Sequence, residues 1–181
     1  MNLSLRKFQS GIDTIKPFDC GDADLNGFLL ECDAGKPNAA FFEEELLAAT
    51  YVLEDKDSGS NVAYFSLLND KVDREFVDPT IWNRLSRKIP NAKRRSSYPA
   101  LKIGRLAVAK ELRGLDIGSK IVDFIKAKFI STRATGCRFI TVDAYSSAVG
   151  FYQKCDFKFL VKPEPEDETV LMYFDLKSLI K

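Results

Sequence analysis

The chain has 181 residues, 45% of them hydrophobic and 29% charged, which is typical of a globular domain with a sizeable core. The net charge of +1 weighs against a nucleic-acid binder with a large basic excess, and the absence of histidine excludes Ser/His and Cys/His catalysis. No apolar run is long enough to span a bilayer, and the first ten residues lack the apolar segment of a signal peptide. We therefore expect a cytoplasmic protein that has no membrane partner.

Four scattered cysteines and an uneven charge distribution restrict the chemistry further. The cysteines form no C-x-x-C pair, which predicts reduced thiols rather than a zinc site. Residues 12–57 hold twelve acidic and three basic side chains, whereas residues 79–110 hold nine basic side chains and no acidic one. Six of these basic side chains lie close together: Arg84, Arg87, Lys88, Lys93, Arg94 and Arg95. They can contact the phosphates of a cofactor or of RNA, or they can be solvated or pair with the acidic first third, and the sequence leaves this choice open.

The first third of the chain predicts a strand followed by a helix. Residues 3–8 alternate between apolar and polar side chains, as a half-buried strand does. Asp22 or Asp24 can cap a helix that ends at residues 36–38. Three apolar side chains recur at the spacing of one helix face, where we expect them to form core: Leu25, Phe28 and Leu29.

A β-hairpin is predicted next. Residues 46–53 and residues 62–68 have the composition of strands, and Asp57-Ser58-Gly59 between them has turn chemistry. Residues 41–45 either extend the first strand or form a small turn. Three carboxylates in this segment are candidates for a general base, although such a run is more typical of a solvated surface: Glu43, Glu44 and Glu45.

Residues 69–97 are polar apart from one helical stripe. Asp78 followed by Pro79 suits a helix start. Apolar residues then recur at helical spacing until Pro90: Ile81, Trp82, Leu85 and Ile89. The spacing predicts a helix that buries Trp82.

The stretch over residues 99–119 predicts a buried strand, a basic turn and a glycine-bearing loop that opens a long helix. The strand carries Leu101, Ile103, Leu106, Ala107 and Val108. One face of the helix carries Ile117, Ile121, Phe124, Ile125 and Phe129. A helix N-terminus has unpaired N–H groups and a partial positive charge, so a loop with little side-chain bulk lets a phosphate approach it. A plain strand-to-helix turn is the alternative interpretation of this loop.

The remaining residues predict three strands and two short helices. The strands cover residues 139–142, 157–161 and 170–175, and the last residues form a short helix. Ser146 or Ser147 caps the other helix. Its side chains on one face are Ala148, Phe151, Tyr152 and Cys155.

Two motifs carry a resemblance to a known family. Residues 113–118 read RGLDIG, and residues 146–157 read SSAVGFYQKCDF. The first resembles the acetyl-CoA loop of the GNAT N-acetyltransferases, Arg/Gln-x-x-Gly-x-Gly/Ala, and the second resembles their later helix, A-x-x-F-Y-x-x-x-G-F. Asp116 and Asp156 stand where these patterns have glycine. The PFDCG and GRLAV segments also resemble the branch that includes toxins acting on charged tRNA.

The resemblance implies an α/β (α+β) fold in a single domain over residues 1–181. Its sheet is central, mixed, largely antiparallel and twisted, with about six or seven strands flanked by helices and splayed where pantetheine enters. Acetyl-CoA is the implied co-substrate, without a metal. The pantetheine arm pairs with the main chain of Leu106, Ala107 and Val108. The pyrophosphate is held by Arg113, Gly114, Leu115, Asp116, Ile117, Gly118 and Ser119. The Asp116 carboxylate would repel a pyrophosphate unless it points outwards or caps the helix.

The resemblance also implies a mechanism. Tyr152 occupies the family position that often protonates the coenzyme A sulfur, so we expect it to be the general acid. Its unperturbed pKa near ~10 is close to that of a departing alkyl thiol. The candidates for the general base are Asp143, Tyr145, the run Glu43 to Glu45, and a water relay. We expect direct acetyl transfer rather than an acetyl-cysteine on Cys137 or Cys155.

The acceptor stays open at this stage. It is a primary amine of a small molecule, of a peptide or protein, or of an aminoacyl-tRNA. The last option would make the chain a toxin with an antitoxin partner. A homodimer also stays open. An alternative of a different class is an inactive acyl-CoA-binding module, supported by Asp116 and Asp156 in place of glycine.

Overall fold

The computed structural model describes residues 1–13, 16–30, 32–33, 36–90, 95–132 and 136–180. The strands in this part of the chain are β1 (Leu3–Lys7), β2 (Cys32–Asp33), β3 (Lys36–Pro37), β4 (Ala49–Asp55), β5 (Ser60–Asp73), β6 (Ser97–Val108), β7 (Phe139–Tyr145), β8 (Lys158–Phe159) and β9 (Thr169–Asp175). The α-helices are α1 (Ala23–Leu30), α2 (Asn38–Glu44), α3 (Pro79–Ser86), α4 (Ile117–Thr132) and α5 (Val149–Lys154). Short 3₁₀ helices cover Arg74–Phe76, Lys110–Leu112, Ser146–Ala148 and Leu176–Leu179.

Seven strands form one sheet in the order β1-β4-β5-β6-β7-β9-β8, and β2 and β3 form a separate two-stranded ladder. The pairs β1–β4, β4–β5, β7–β9 and β8–β9 are antiparallel. The pair β6–β7 is parallel, and its register covers only Ala100–Lys102 against Phe139–Thr141. The predicted mixed, largely antiparallel α/β fold is therefore confirmed. None of the helices in the described ranges is long and apolar enough to cross a membrane.

The chain divides into two compact units, each with its own core. Unit 1 comprises Met1–Leu68 and Ile103–Ile121. Its core gathers aromatic rings around Tyr64, whose hydroxyl donates a hydrogen bond to the Leu25 carbonyl at 2.6 Å. Phe18 meets the Tyr64 ring edge-on, with ring centroids 5.5 Å apart. Asp22 caps α1 by accepting a hydrogen bond from the Leu25 N–H at 3.0 Å, as one of the two predicted options required.

Unit 2 comprises Asn69–Lys102 and Val122–Lys181. Asp78 caps α3 by accepting hydrogen bonds from the Thr80 and Ile81 N–H groups, and Pro79 occupies the first turn, as predicted. Trp82 is buried and stacks on Tyr98 with ring centroids 5.1 Å apart. The predicted single domain over residues 1–181 stays a prediction.

Several of the predicted boundaries in the first half are wrong. Helix α1 ends at Leu30 rather than at residues 36–38. Residues 38–44 form helix α2, whereas residues 41–45 were expected to extend a strand or to form a small turn. The helix buries Ala39 and Ala40, and its Phe42 ring packs edge-on against Phe28 at 5.5 Å. Strand β5 extends to Asp73, and covered and exposed side chains alternate over its polar second half, from Leu68 to Val72.

Two details of the later helices also differ from the prediction. On α4, Phe124 is 40% exposed, and Val122 and Lys126 are buried in its place. Neither Ser146 nor Ser147 caps α5, because a 3₁₀ turn precedes the helix and the capping residue makes no side-chain hydrogen bond. The Ser146 hydroxyl instead donates to the Asp167 carbonyl.

Candidate functional site

The end of β6 leads into the loop predicted to hold a diphosphate. Ala107 is buried, while Leu106 and Val108 are partly exposed. The Ala109 N–H donates to the Val62 carbonyl at 2.9 Å, and the chain then turns through the 3₁₀ helix before α4 begins at Ile117. All the predicted cofactor-binding residues therefore lie in unit 1, on one continuous strand–loop–helix junction.

The backbone of this loop presents unused hydrogen-bond donors. The N–H groups of residues 114–119 donate no hydrogen bond to any residue that the structure describes. The Lys120 N–H, by contrast, donates to the Asp116 carbonyl at 3.0 Å and closes the first turn of α4. Free N–H groups at the N-terminus of a 16-residue helix form a favourable site for a phosphate group. The loop therefore has the features of an anion site.

The loop owes its shape to two residues with positive φ. Gly114 has a φ of +82° and Asp116 has a φ of +57°. Both values lie in the left-handed region, which favours glycine and which aspartate tolerates better than most residues. The exposed Asp116 therefore keeps the conformation that a glycine would adopt at this position. Its departure from the motif changes the local charge without changing the backbone.

Arg113 and Lys110 fasten the loop to the segment before α1. The Arg113 guanidinium donates a hydrogen bond to the Cys20 carbonyl. Lys110 forms an ion pair with Asp19 at 2.6 Å, and Asp19 also accepts a hydrogen bond from the Asn26 amide at 2.9 Å. The contact with Lys110, followed by that with Asn26, lowers the pKa of Asp19. Part of the Arg113 side chain is thus committed to anchoring the loop.

Tyr152 is held at the C-terminus of α5 by a complete Schellman motif. The Asp156 N–H donates to the Gln153 carbonyl, and the Phe157 N–H donates to the Tyr152 carbonyl, both at 3.0 Å. Asp156 takes the left-handed position with a φ of +63°. The rings of Phe157 and Tyr152 meet edge-on at 5.4 Å, which is the apolar contact that accompanies this motif. The F-Y-x-x-x-G-F pattern is therefore the sequence of a helix cap that orients the tyrosine.

The Tyr152 side chain is buried, with 6% of its surface exposed. The Phe151 ring meets it edge-on at 4.9 Å. Burial, followed by the nearby Cys155, raises the pKa of Tyr152, so its phenol stays protonated well above neutral pH. Its hydroxyl makes no hydrogen bond with the residues that the structure describes. No acceptor in the described part of the chain therefore holds the hydroxyl proton, which a general acid must donate.

The candidates for the general base lie in different surroundings. Asp143 on β7 forms an ion pair with Lys102, and Thr141 on the same strand donates to Asp70. These four side chains line a cavity of about 180 Å³ in unit 2. Tyr145 is 42% exposed. The Glu43 to Glu45 run belongs to α2 and the turn after it, and Glu44 accepts a hydrogen bond from the Ser10 hydroxyl at 2.5 Å.

The sequence prediction missed several polar residues. Asp70 and Thr141 were not singled out, although the extended alternation of β5 would have placed Asp70 on a covered face. Arg105 was noted only as a letter of GRLAV, although an arginine inside an apolar strand is a signal of its own. Lys126 lies on the apolar face of α4, where helical spacing alone could have placed it.

The described ranges contain no cluster of side chains suited to a metal ion. No group of three or more Cys, Asp or Glu side chains there could hold a metal ion. Cys20, Cys137 and Cys155 form no disulfide with a residue that the structure describes.

A sheet of this order, with an open helix N-terminus after its central strand, is the architecture of an acyl-CoA-dependent acyltransferase. The chain belongs to the GNAT acetyltransferase family, because the sequence model of the Acetyltransferase (GNAT) domain matches residues 48–159, more than half of its length. The predictions of an N-acetyltransferase and of acetyl-CoA as its co-substrate are confirmed at the level of the family.

Solved structures share the fold along almost the whole chain. A tyrosine-to-phenylalanine mutant of KacT has a TM-score of 0.78 and 22% identity, over 99% of this chain and 98% of KacT. AtaT complexed with acetyl-methionyl-tRNAfMet has a TM-score of 0.75 and 23% identity, over 98% of this chain and 97% of AtaT. An AtaT mutant toxin bound to the C-terminus of the antitoxin AtaR and acetyl-CoA has a TM-score of 0.67 and 19% identity, over 99% and 96%. No curated protein matches the sequence.

Proposed function

We propose that this protein transfers an acetyl group from acetyl-CoA directly to a primary amine, with Tyr152 as the general acid. The observation that carries the proposal is the row of N–H groups at residues 114–119 that donate to no residue in the described part of the chain, a row that suits a diphosphate. The buried Tyr152, whose hydroxyl has no partner in the described ranges, supplies the acid. The main chain of Leu106, Ala107 and Val108 holds the pantetheine arm.

The proposed reaction needs three proton and charge movements. The amine attacks the thioester carbon, so a C–N bond forms and the C–S bond breaks. Backbone N–H groups near residues 106–108 stabilise the carbonyl oxygen while it carries negative charge. Tyr152 protonates the departing thiolate, and the proton of the attacking amine passes to a base. Asp143, Asp70 or a water relay is the proposed base, because the two carboxylates line one cavity.

The test of Tyr152 is its replacement by phenylalanine, which keeps the ring contacts and removes the proton. We expect Tyr152→Phe to lower kcat by about 10- to 100-fold and to leave the Kd of acetyl-CoA within about twofold. Thiol release measures the first quantity and calorimetry the second. Because burial raises the pKa of Tyr152, kcat of the unmodified protein should not fall through loss of this proton below about pH 10.

The matched control is Tyr51→Phe, because Tyr51 lies in β4 and stacks on Phe65 with ring centroids 5.0 Å apart. We expect this variant to keep its kcat. An unchanged rate in Tyr152→Phe would remove this residue from the mechanism, and a loss of acetyl-CoA binding would assign it a binding role instead.

For the acceptor we propose the amino group of an aminoacyl-tRNA. Arg84, Arg87 and Lys88 are exposed at the C-terminal end of α3 and its continuation, and they form no ion pair with a carboxylate in the described ranges. This arrangement favours phosphate contacts over pairing with the acidic first third. Lys93 and Arg94 of the same stretch lie outside the described residues. The tRNA complex of the structural neighbour AtaT is consistent with this acceptor, and an antitoxin partner depends on it.

The acceptor is tested by the salt dependence of tRNA binding. A triple change at the basic cluster removes up to three phosphate contacts: Arg84→Gln, Arg87→Gln and Lys88→Gln. We expect the slope of log K against log salt to become shallower by about 2 to 3. The control neutralises three exposed lysines elsewhere and should leave the slope unchanged: Lys7→Gln, Lys56→Gln and Lys162→Gln. An equal slope in both triple variants would leave a small or peptide amine as the acceptor.

The inactive-module alternative is tested separately. Its support was the pair Asp116 and Asp156, and both occupy left-handed positions that aspartate tolerates. A panel of amines and charged tRNA, read out by thiol release, distinguishes the two functions. Binding of acetyl-CoA without thiol release from any acceptor would favour the module.

A further inference from the structure

An open cavity of about 400 Å³ lies in unit 1, apart from the loop assigned to acetyl-CoA. Helix α1 contributes most of its lining, α2 contributes Asn38 and Phe42, and β6 contributes only Arg105. None of the residues 106–119 lines it. The cavity is therefore a separate feature of the same unit, built largely by the first two helices.

Arg105 is the one cationic side chain among the lining residues that the structure describes, and its guanidinium has no polar partner among them. Its guanidinium lies over the Phe28 ring, 3.9 Å from the ring centroid, and 5.9 Å from that of Phe42. Its Nε is sealed from solvent without a hydrogen-bond partner. The Arg105 side chain forms no hydrogen bond or ion pair with any residue in the described ranges. The aromatic contact attracts the charge but does not give the covered Nε–H a hydrogen-bond acceptor.

The other two partly buried arginines that the structure describes lie beside carboxylates, although each also has one covered nitrogen without a hydrogen bond, Nη1 of Arg6 and Nε of Arg138. Arg6 contacts Asp13 at 2.7 Å and Glu54 at 2.8 Å. Arg138 contacts Asp175 at 2.8 Å. Leaving a covered donor without a partner costs free energy, so an unpaired guanidinium fixed by a ring face is expected where a ligand supplies the partner.

We propose that Arg105 and the rings of Phe28 and Phe42 form a subsite for an oxyanion, a phosphate or carboxylate, of the acceptor substrate. This assignment rests on the proposed acetyl transfer, since a cavity that excludes the cofactor loop is left for the other substrate. The planar guanidinium can donate two parallel hydrogen bonds to two oxygens of such a group. The Phe28 face holds the guanidinium plane in place for this contact.

One carboxylate tunes the subsite. Asp24 is exposed in the lining and forms no ion pair with Arg105. Its negative charge opposes an incoming anion through space. Removing that charge should therefore tighten binding of an oxyanion, whereas it would weaken binding of a cation. The sign of this effect distinguishes the proposed ligand from an ammonium group.

The experiment follows the Nε–H signal of Arg105 by ¹⁵N NMR while phosphate or acetate is added. The protein is first saturated with coenzyme A, so that the donors of residues 114–119 are occupied. The signal is assigned by its loss in Arg105→Lys. We expect phosphate, acetate or both to shift this signal in a saturable way, while the paired Arg6 serves as control and keeps its position. A shift with phosphate alone identifies a phosphate-bearing acceptor, and a shift with acetate alone identifies a carboxylate.

Two variants complete the test. Arg105→Gln should raise the Kd of the effective probe at least about tenfold, as loss of a charge-assisted pair of hydrogen bonds requires. Asp24→Asn should lower that Kd by about two- to threefold. Absence of a shift with both probes, or weaker binding in Asp24→Asn, would overturn the subsite. Failure of coenzyme A to bind in the first step would instead overturn the proposed acetyl transfer, and the titration of Arg105 would still be read.

Discussion

The N-terminus of α4 and the C-terminus of α5 each contain an aspartate with positive φ, but the two helix ends have different roles. Each has an aspartate with a left-handed backbone, Asp116 with a φ of +57° and Asp156 with a φ of +63°. At the first, the N–H groups of residues 114–119 are left unbonded in the described ranges. At the second, the capping hydrogen bonds are all made within the chain. One end is open for a ligand, and the other is closed to fix a side chain.

The same replacement of a motif glycine by aspartate therefore has different consequences at the two helix ends. At both positions the glycine of the family pattern answers a need for positive φ, and aspartate meets that need. The added carboxylate matters only where an anion is to bind. We therefore expect substitutions at the C-terminus of α5, the closed end, to change stability through the backbone conformation. Substitutions at the N-terminus of α4, the open end, should change anion binding through their charge.

The largest change in stability is expected from replacing Lys126, whose side chain contacts the closed end of α5. This buried lysine donates a hydrogen bond from Nζ to the Cys155 carbonyl at 2.9 Å and lies 4.3 Å from the centre of the Phe174 ring. Lys126→Met leaves that carbonyl without its partner, so the free energy of unfolding should fall by about 1.5–3 kcal/mol. Urea denaturation measures this change. Lys120→Met removes the same charge from an exposed position of α4 and should change it by less than about 0.5 kcal/mol.

A smaller effect is expected from the left-handed residue of the closed end. Asp156→Ala puts a side chain with no local hydrogen-bonding group at positive φ and should cost about 1 kcal/mol of unfolding free energy. Asp156→Gly keeps the conformation accessible and should leave stability within about 0.5 kcal/mol of the original. Equal losses in the two variants would mean that the carboxylate itself stabilises the cap.

These contacts also indicate how far the sequence could predict the molecule. The strand of residues 99–108, the long helix after it and the buried Tyr152 follow from local patterns, and two motifs in the right order identify the family. Helical spacing places Lys126 on the apolar face of α4, but its hydrogen bond to the Cys155 carbonyl could not be predicted, because Cys155 lies 29 residues further along the chain. The Arg105 cavity was also missed, since it requires α2, and residues 41–45 were expected to extend a strand or to form a small turn. In both cases the environment of the side chain is set by residues distant in sequence, which local propensity does not reveal.

The smallest effect, and the sharpest test of the open end, comes from Asp116→Asn. Asparagine also tolerates the left-handed backbone, so the loop keeps its shape and loses only the negative charge. If the N–H groups of residues 114–119 bind a diphosphate, removing a nearby carboxylate should lower the Kd of acetyl-CoA by about two- to fivefold at low salt. The gain should shrink at high salt, because the side chain is exposed and its charge is screened. Asp156→Asn makes the same chemical change at the closed end and should leave the Kd unchanged. Calorimetric titration of both variants measures this difference, and tighter binding in both or in neither would mean that the diphosphate is not held at this loop.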